Sequence, residues 1–411
     1  MKILQYPAYV TIDELREFSR PQSGYGYMAL DIAIATAEKG MQVDLLTQLN
    51  ITKGMQYKKI NILKRTWLDI FVALNISHII SALKVAINDR VTINKMAKII
   101  FYHIAMGYFE KVIRKHDYDC VHIHGVGYQT SPIIETCKKH NIRYIVTLHG
   151  LNSFSESTIV TSQEKKMERC FLREAEKSEI PVTVVSTGTK KTILEYLKNP
   201  QLKNFTVITN GCDTSLQTTS TLINIRDKHG IPNDKKVMVC VGNIGEWKNQ
   251  LQIVRSFSKL PATIKEKLVI LFLGNDGTNG QFIYEIKKSN YSSQLIFCGN
   301  IPRHEVSAYY GQADYNIVAS ISEGFGLSMI EGFVYGLPCV TFFDLDAVSD
   351  LYHEKAMCLI KERTSDALAK GITEICSRDW DKTYIRQHAQ KYSMGKMAEQ
   401  YINIYENLFQ V

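Results

Sequence analysis

The chain has 411 residues, a net charge of +8 and 45% hydrophobic residues. This length predicts about two or three domains, and the composition excludes a disordered or fibrous protein. No apolar run is long enough to cross a bilayer, and the N-terminal run is too short for a signal peptide, so we expect a cytoplasmic protein. The nine cysteines include no CxxC pair, which favours reduced core thiols over disulfides or zinc ligands.

The first half of the chain alternates strand-like runs with helical patterns. Strands are predicted at KILQYPAYV, MQVDLLT, CVHIHG, RYIVTLHG and VTVVST, and a helix is predicted to end at Gly40. Strands that are separated by helices predict a parallel, doubly wound sheet.

The same rhythm restarts near Asn204. The runs KKVMVCVGN, KLVILFLGN, QLIFCGN, YNIVAS and LPCVTFF predict a second α/β domain. The last segment has the apolar spacing of an amphipathic helix, which must lie on another domain. The predicted divisions are therefore 1–203, 204–391 and 392–411. Ligands of doubly wound sheets bind at the carboxyl ends of the strands, so we expect a cleft between the two domains, with the site motifs directly after strands.

Two glutamates frame the turn between YNIVAS and the helix that follows it. Glu323 lies in the turn ISEGFG, and Glu331 lies about one turn into the helix. Glycines let a ligand approach the backbone, and the first amides of a helix donate to anions. Two carboxylates, one in the turn and one about a helical turn further on, can accept hydrogen bonds from two separate sets of ligand hydroxyls. The structural alternative is a capping box between Ser328 and Glu331, with Glu323 as a solvated turn residue.

The stretch EGFGLSMIEG has the E-x7-E pattern and, with the following GLPCV, resembles the donor site of retaining GT-B glycosyltransferases, particularly family 4. TLHG at 147–150, ITNGCD at 208–213, VGN…WKNQ at 241–250 and the closing helix also match, so the resemblance covers nearly the whole chain. It implies two doubly wound Rossmann-like domains facing across a cleft, with the C-terminal helix returning to the first. It also implies transfer of a sugar from a nucleotide-diphosphate sugar to a hydroxyl of a saccharide or lipid-linked saccharide, as in polysaccharide or lipopolysaccharide biosynthesis, with retention at the anomeric carbon.

The resemblance also implies residue roles. Glu331 would bind the ribose hydroxyls, Glu323 the sugar and Lys248 the diphosphate, while His149 would lie near the transferred sugar. The predicted catalytic residues are Glu323, His149 and Lys248, and the predicted binding residues are Glu331, Gly324, Phe325, Gly326, Leu327, Ser328, Asn243, Gly24 and Ile301. Asn243 stands where the family usually has an arginine, so one positive contact to the diphosphate is missing.

Two other functions remain open. GYGYMA at 24–29 mimics a dinucleotide-binding fingerprint, which would indicate an NAD-dependent oxidoreductase. These glycines, however, begin 13 residues after the strand instead of turning directly out of it. In the glycosyltransferase interpretation this glycine loop, with Gly24, closes over the donor phosphates. A non-catalytic sugar-binding protein of the same fold would lose the E-x7-E and lysine set, which this chain retains.

Two short patterns could be taken for metal ligands. These are HIH at 122–124 and DLD at 344–346, and neither has a third ligand at suitable spacing. We predict a metal-independent enzyme without a cofactor, in which the nucleotide sugar is a substrate, and no nucleic-acid partner.

Residues 53–115 carry 12 basic and 3 acidic residues together with apolar runs such as TWLDIFVAL. This combination predicts contact with an anionic membrane surface and a peripheral location at the inner face of the membrane. The alternative, ordinary core faces with a rim of solvated lysines, stays open.

Overall fold

The computed structural model describes residues 1–19, 23–73, 75–88, 93–154, 160–215 and 223–408. The chain forms two compact units. The N-terminal unit comprises Met1–Val185, Thr189–Thr209 and Gly395–Val411, and the C-terminal unit comprises Ser186–Gly188 and Asn210–Met394. The change of unit lies slightly later than the expected Asn204, because the strand Phe205–Val207 still belongs to the first sheet.

The N-terminal unit contains an eight-stranded sheet in the order β3-β4-β2-β1-β5-β6-β7-β8. Neighbouring strands are parallel except for the hairpin of β3 and β4. The strands are β1 (Lys2–Tyr6), β2 (Gln42–Leu45), β3 (Met55–Tyr57), β4 (Ile60–Ile62), β5 (Cys120–His124), β6 (Tyr144–Leu148), β7 (Val182–Val184) and β8 (Phe205–Val207). The predicted first strand is shorter than expected and ends at Tyr6.

Helices cover this sheet, as the alternating pattern predicts. They are α1 (Gly24–Glu38), α2 (Trp67–Val72), α3 (Ile76–Asn88), α4 (Ile93–His116), α5 (Ser131–Lys139), α6 (Ser162–Lys177) and α7 (Thr187–Leu197). The Ser23 side chain caps α1 by accepting from the Gly26 amide. The expected glycine loop is therefore wrong: residues 24–29 form the first turns of α1. Gly26 is needed there because a Cβ would lie 2.4 Å from Thr11 Oγ1.

The C-terminal unit contains a parallel six-stranded sheet in the order β11-β10-β9-β12-β13-β14. Its strands are β9 (Lys236–Val241), β10 (Leu268–Leu273), β11 (Leu295–Gly299), β12 (Tyr315–Val318), β13 (Cys339–Phe342) and β14 (Met357–Ile360). The chain builds outward from β9 through β10 to β11 and then returns to place β12 on the other side of β9. The strand order therefore reverses between β9 and β12.

The helices of this unit follow its strands. They are α8 (Ile225–His229), α9 (Gln250–Phe257), α10 (Ala262–Lys265), α11 (Gln281–Lys288), α12 (Arg303–Gln312), α13 (Leu327–Val334), α14 (Val348–Leu351), α15 (Ser365–Ser377) and α16 (Lys382–Ala389). Core residues such as Phe257, Phe272 and Ile372 are fully buried between these helices and the sheet.

The last helix, α17 (Met394–Asn407), packs on the N-terminal unit. Its inner face carries Met397, Ala398, Tyr401 and Tyr405, each at most 2% exposed. The four-residue step from Tyr401 to Tyr405 puts both rings on one face of the helix. None of the described helices combines the length and apolar character that crossing a bilayer requires.

Candidate functional site

The predicted site motifs of the C-terminal unit meet at the point where its strand order reverses. Strands β9 and β12 are parallel neighbours, so the turns that follow them emerge side by side. The turn after β9 carries Lys248, and the turn after β12 carries Glu323. In doubly wound sheets, this reversal of strand order opens the crevice in which ligands bind.

The two turns are tied together through Trp247. Its carbonyl oxygen accepts from the Ile321 amide at 2.9 Å, and its indole nitrogen donates to the Ser322 carbonyl at 2.9 Å. Arg363 braces the same turn by donating to the Ser320 carbonyl at 2.9 Å. These bonds fix the backbone on which the charged side chains stand.

Lys248 and Glu323 form an ion pair. Lys248 Nζ donates to Glu323 Oε1, and Ser320 Oγ donates to the same oxygen at 2.7 Å. The side chain of Glu323 is 12% exposed and that of Lys248 is 31% exposed. The stem of Lys248 lies beside Gly242, where a Cβ would come within 3.5 Å of Lys248 Cε. The sequence predicted both charged residues but missed their pairing and the role of Ser320.

The turn before α13 depends on Gly326. This residue is the N-cap of α13 and has a left-handed backbone with φ of 76°, which glycine adopts without strain. Gly324 is partly exposed beside it, whereas Phe325 is buried and its ring meets Tyr392 edge-on at 5.7 Å. Phe325 therefore holds the turn in place by its side chain.

Glu331 lies one turn into α13, as predicted, and is partly exposed. Its Oε2 lies 3.3 Å from the Tyr310 hydroxyl. The capping-box alternative is wrong, because the helix begins at Leu327 after Gly326 and has no side-chain cap. Ser328, the second helical residue, uses its carbonyl to accept from Asn316 Nδ2 at 2.7 Å. No pattern in the sequence pointed to Tyr310, which reaches Glu331 from α12.

Asn243 and Ile301 lie at the carboxyl ends of other strands of this sheet. Asn243 is exposed directly after β9, and its Oδ1 accepts from the Asn275 amide at 3.2 Å. Ile301 follows β11 and packs partly buried against the cluster around Tyr309. Both therefore follow strands, as the doubly wound pattern predicts.

His149 belongs to the N-terminal unit, where it follows β6. Its Nε2 lies 2.9 Å from Nδ1 of His124, whose Nε2 lies 2.7 Å from Gln5 Oε1. Burial lowers the pKa of His149 to about 4 and that of His124 well below its usual value. Both rings are therefore neutral near pH 7.

Glu168 anchors the loop after His149. It accepts from the backbone amides of Asn152 at 3.2 Å and Ser153 at 2.6 Å, and it is 2% exposed. Burial raises the pKa of Glu168, and these hydrogen bonds oppose that shift. The sequence did not point to Glu168, because it lies in the middle of α6, far from any motif.

The metal-like patterns have other partners. Asp344 of DLD pairs with Arg363 through two hydrogen bonds of 2.8 and 2.7 Å. His122 and His124 stack on each other at 4.2 Å and use their nitrogens in hydrogen bonds. Within the described ranges, no three His, Cys, Asp or Glu side chains are grouped to hold a metal ion.

Comparison with known families agrees with these two units. A family model described as "Glycosyltransferase Family 4" matches residues 23–216, and one described as "Glycosyl transferases group 1" matches residues 223–392. Between them they cover most of both units. The chain therefore belongs to the glycosyltransferases of the GT-B fold. Within that class it is of the family 4 type.

Individual relatives are distant. The putative teichuronic acid biosynthesis glycosyltransferase TuaC of Bacillus subtilis is 24% identical over 62% of this chain and 60% of its own length. The match with such curated relatives thus spans about three fifths of their length. Sucrose-phosphate synthase of Thermosynechococcus elongatus has a TM-score of 0.75 at 16% identity, covering 100% of this chain and 99% of its own. Anabaena HepE in complex with UDP-glucose has a TM-score of 0.66 at 17% identity, covering 100% of both chains.

Proposed function

We propose that the protein transfers a sugar from a nucleotide-diphosphate sugar to a hydroxyl of a saccharide or lipid-linked saccharide, with retention at the anomeric carbon. The observation that carries this proposal is the Lys248–Glu323 pair at the reversal of strand order, with Glu331 one turn into the adjacent helix. A cation and two carboxylates at this edge suit a ligand that has both phosphates and hydroxyls. The similar fold of HepE, whose structure contains UDP-glucose, supports the class of donor.

Each charged side chain would serve a different part of the donor. Glu331 would accept hydrogen bonds from the ribose hydroxyls, and Lys248 would contact the diphosphate. The partly exposed start of α13, with the amides of residues 324–327, would bind the sugar and leaving group through the positive end of the helix. Asn243 supplies no charge, so Lys248 would bear more of the diphosphate charge than in enzymes with an arginine there.

The proposed reaction passes through an oxocarbenium-like transition state. As the bond from the anomeric carbon to the diphosphate oxygen breaks, negative charge grows on that oxygen and Lys248 stabilises it. Glu323, held by Lys248 and Ser320, would orient the sugar hydroxyls, and His149 would accept a hydrogen bond from a hydroxyl. The acceptor hydroxyl then bonds to the anomeric carbon, and its proton passes to the departing diphosphate oxygen; no covalent enzyme intermediate is assigned. The positive groups at the leaving oxygen take the place of a divalent metal, so we propose a metal-independent reaction.

A ligand series tests the ribose role of Glu331. Glu331→Ala should weaken binding of a ribonucleoside diphosphate by roughly 1–3 kcal/mol, because it removes hydrogen bonds to the sugar hydroxyls. It should leave the 2′,3′-dideoxy analogue, which lacks those hydroxyls, nearly unchanged. Calorimetry of both ligands with the wild type, Glu331→Ala and the exposed control Glu354→Ala measures this. Equal losses for both ligands would contradict the ribose assignment.

The acceptor side of the proposal rests on exposed apolar side chains of α2, α3 and the start of α4 in the N-terminal unit. On α3 the side chains of Ile76, Ile80 and Ile87 are 70%, 50% and 70% exposed, whereas Ala82 and Ala86 are buried. On α2, Phe71 is 62% exposed. Further exposed apolar residues of these helices are Trp67, Leu68 and Val72 on α2, Leu83 on α3 and Ile93 at the start of α4. Exposed apolar side chains on this scale mark an interaction surface rather than an ordinary core.

Basic side chains lie in the same segment. Lys58, Lys59, Lys64, Lys84 and Lys98 are exposed between residues 53 and 115, while Arg90 lies outside the described residues. Apolar residues with lysines suit the boundary of an anionic bilayer, where each basic residue contributes about 1 kcal/mol. We therefore propose a peripheral location at the cytoplasmic face of a membrane, where a lipid-linked acceptor would be presented.

Vesicle co-sedimentation tests this location. The protein should bind anionic vesicles more than neutral ones, and less as salt rises, because exposed charges are screened over about 8 Å near 0.15 M salt. Phe71→Ser with Ile76→Ser should reduce binding, whereas Tyr284→Ser, which removes a ring that is 60% exposed on the other unit, should not. Equal binding to both lipids, or none, would favour a soluble acceptor.

A further inference from the structure

A continuous chain of buried hydrogen bonds links the C-terminal helix to His149. Tyr405 on α17 accepts from Gln5 Nε2 at 3.0 Å. Gln5 Oε1 lies 2.7 Å from His124 Nε2, and His124 Nδ1 lies 2.9 Å from His149 Nε2. Gln5, His124 and Tyr405 are each at most 1% exposed, so water does not compete for these bonds.

The donors and acceptors of this chain follow one direction. A carbonyl oxygen only accepts, so Gln5 Oε1 requires a hydrogen on His124 Nε2. His124 is a neutral imidazole, and its Nδ1 is therefore an acceptor. The matching donor must be Nε2–H of His149, which leaves Nδ1 of His149 with a lone pair.

The other branch of the chain holds the Gln5 amide in this orientation. Tyr405 accepts from Gln5 Nε2 and donates its own proton to His122 Nδ1, 2.7 Å away. His122 Nε2–H then donates to Thr147 Oγ1 at 2.6 Å. If the amide of Gln5 alone turned over, its NH2 group would face the hydrogen on His124 Nε2. Its oxygen and His122 Nδ1 would then both require the single hydroxyl proton of Tyr405. The Gln5 amide can therefore turn over only if every hydrogen bond of this network reverses its direction at the same time.

The lone pair at the end of the chain has no protein partner. His149 Nδ1 is buried and makes no hydrogen bond with any described residue. The Tyr25 ring meets the His149 ring edge-on at 5.2 Å and limits its rotation. A buried acceptor without a partner is costly, which favours a ligand hydroxyl at this nitrogen.

We infer that Tyr405 and Gln5 are positioning residues that fix His149 as its Nε2–H tautomer, so that Nδ1 accepts a hydrogen bond from a ligand hydroxyl. The identity of that hydroxyl, on the transferred sugar or on the acceptor, rests on the proposed function. The tautomer itself does not, because it follows from the orientation of the Gln5 amide and its contacts within the N-terminal unit. The α17 helix thereby contributes to the state of a site residue as well as to packing.

Nitrogen-15 NMR of histidine-labelled protein without any ligand tests the inference, with the His149 signals assigned from a His149→Asn variant. The wild type should show a protonated Nε2 and an unprotonated Nδ1 at His149. A protonated Nδ1 would overturn the inference. Because the sample contains no nucleotide sugar, this result is independent of whether the protein binds one.

Variants test which residues fix the tautomer. In Tyr405→Phe, Gln5 loses the acceptor for its amide hydrogens and can reverse alone, so the Nδ1–H form of His149 should appear. Gln5→Met should also yield a mixture, and the turnover of both variants should fall about tenfold, as for loss of one hydrogen bond, with little change in the donor KM. The matched control is Tyr309→Phe, a fully buried tyrosine of the C-terminal unit, whose hydroxyl lies 2.9 Å from His229 Nε2 and takes no part in the Tyr405–His149 network. An unchanged His149 tautomer in both Tyr405→Phe and Gln5→Met would refute the positioning role.

Discussion

Lys248→Met isolates the charge of the ion pair at the candidate donor site. Methionine keeps most of the stem that lies beside Gly242 and removes the ammonium group that pairs with Glu323. A charge-assisted hydrogen bond to a phosphate is worth roughly 1.5–3 kcal/mol, so affinity for a nucleoside diphosphate should fall roughly 10- to 150-fold. The nucleoside alone, which has no phosphate, should bind equally to the wild type and the variant.

The same substitution should have little effect on folding. Lys248 is 31% exposed, so solvent screens the pair, and we expect a loss of about 1 kcal/mol or less in the free energy of unfolding. Urea denaturation measures this loss, and calorimetry measures binding. The control is Lys259→Met, which breaks the exposed pair of Lys259 with Asp366, 2.8 Å apart in the same unit. Unchanged diphosphate affinity in Lys248→Met, or an equal loss for the nucleoside, would refute the assignment of Lys248 to the diphosphate.

Three further predictions concern backbone strain, metal and pH. Gly326→Ala forces alanine to a φ of 76° and places its Cβ 2.7 Å from Met329 Cε. This change should lower the free energy of unfolding by roughly 1–3 kcal/mol, as measured by urea titration. The control Gly127→Ala, whose Cβ would meet open space, should not lower it. Sugar transfer should survive EDTA; abolition by EDTA with rescue by manganese would contradict the proposed role of Lys248 and the helix amides at the leaving group. Burial lowers the pKa of His149 to about 4 in the folded protein, against about 6.5 when unfolded, so its contribution to stability should be full above pH 6.5 and fall by at most about 3 kcal/mol towards pH 4, in addition to the losses from other buried histidines such as His124. Urea titrations at pH 5 and 7 check this, and His149→Asn should flatten the dependence; an unchanged slope would show that other groups cause it.

The repeating strands and helices could be predicted because their apolar patterns are local. Buried strands such as Cys120–His124 and Leu268–Leu273 are near-continuous apolar runs bounded by turns. The hairpin Met55–Tyr57 and Ile60–Ile62 was missed, since strands of three residues show too little alternation. The predicted boundary at Asn204 put residues 205–207 in the second domain, whereas the strand Phe205–Val207 belongs to the first sheet, because its pairing with β7 is a tertiary contact.

The sequence motifs allowed prediction of individual site residues but not of the contacts between them. Lys248 and Glu323 each follow a strand, but their pairing depends on β12 lying beside β9, which the order of the strands along the chain does not reveal. The partners of His149 were missed for the same reason. Gln5 and Tyr405 are 400 residues apart in sequence, and no local pattern brings them together.

The central claim is that the turns after β9 and β12 bind a nucleotide sugar that the enzyme then uses as donor. The most direct measurement is calorimetric titration of the wild type with UDP-, GDP-, ADP- and TDP-sugars and with NAD. Competition with the matching nucleoside diphosphate and a parallel titration of Lys248→Met complete the experiment. The account predicts that at least one nucleotide sugar binds, that its diphosphate competes, that Lys248→Met weakens both, and that NAD does not bind. Binding of NAD without any nucleotide sugar, or nucleotide-sugar binding that Lys248→Met leaves unchanged, would contradict it.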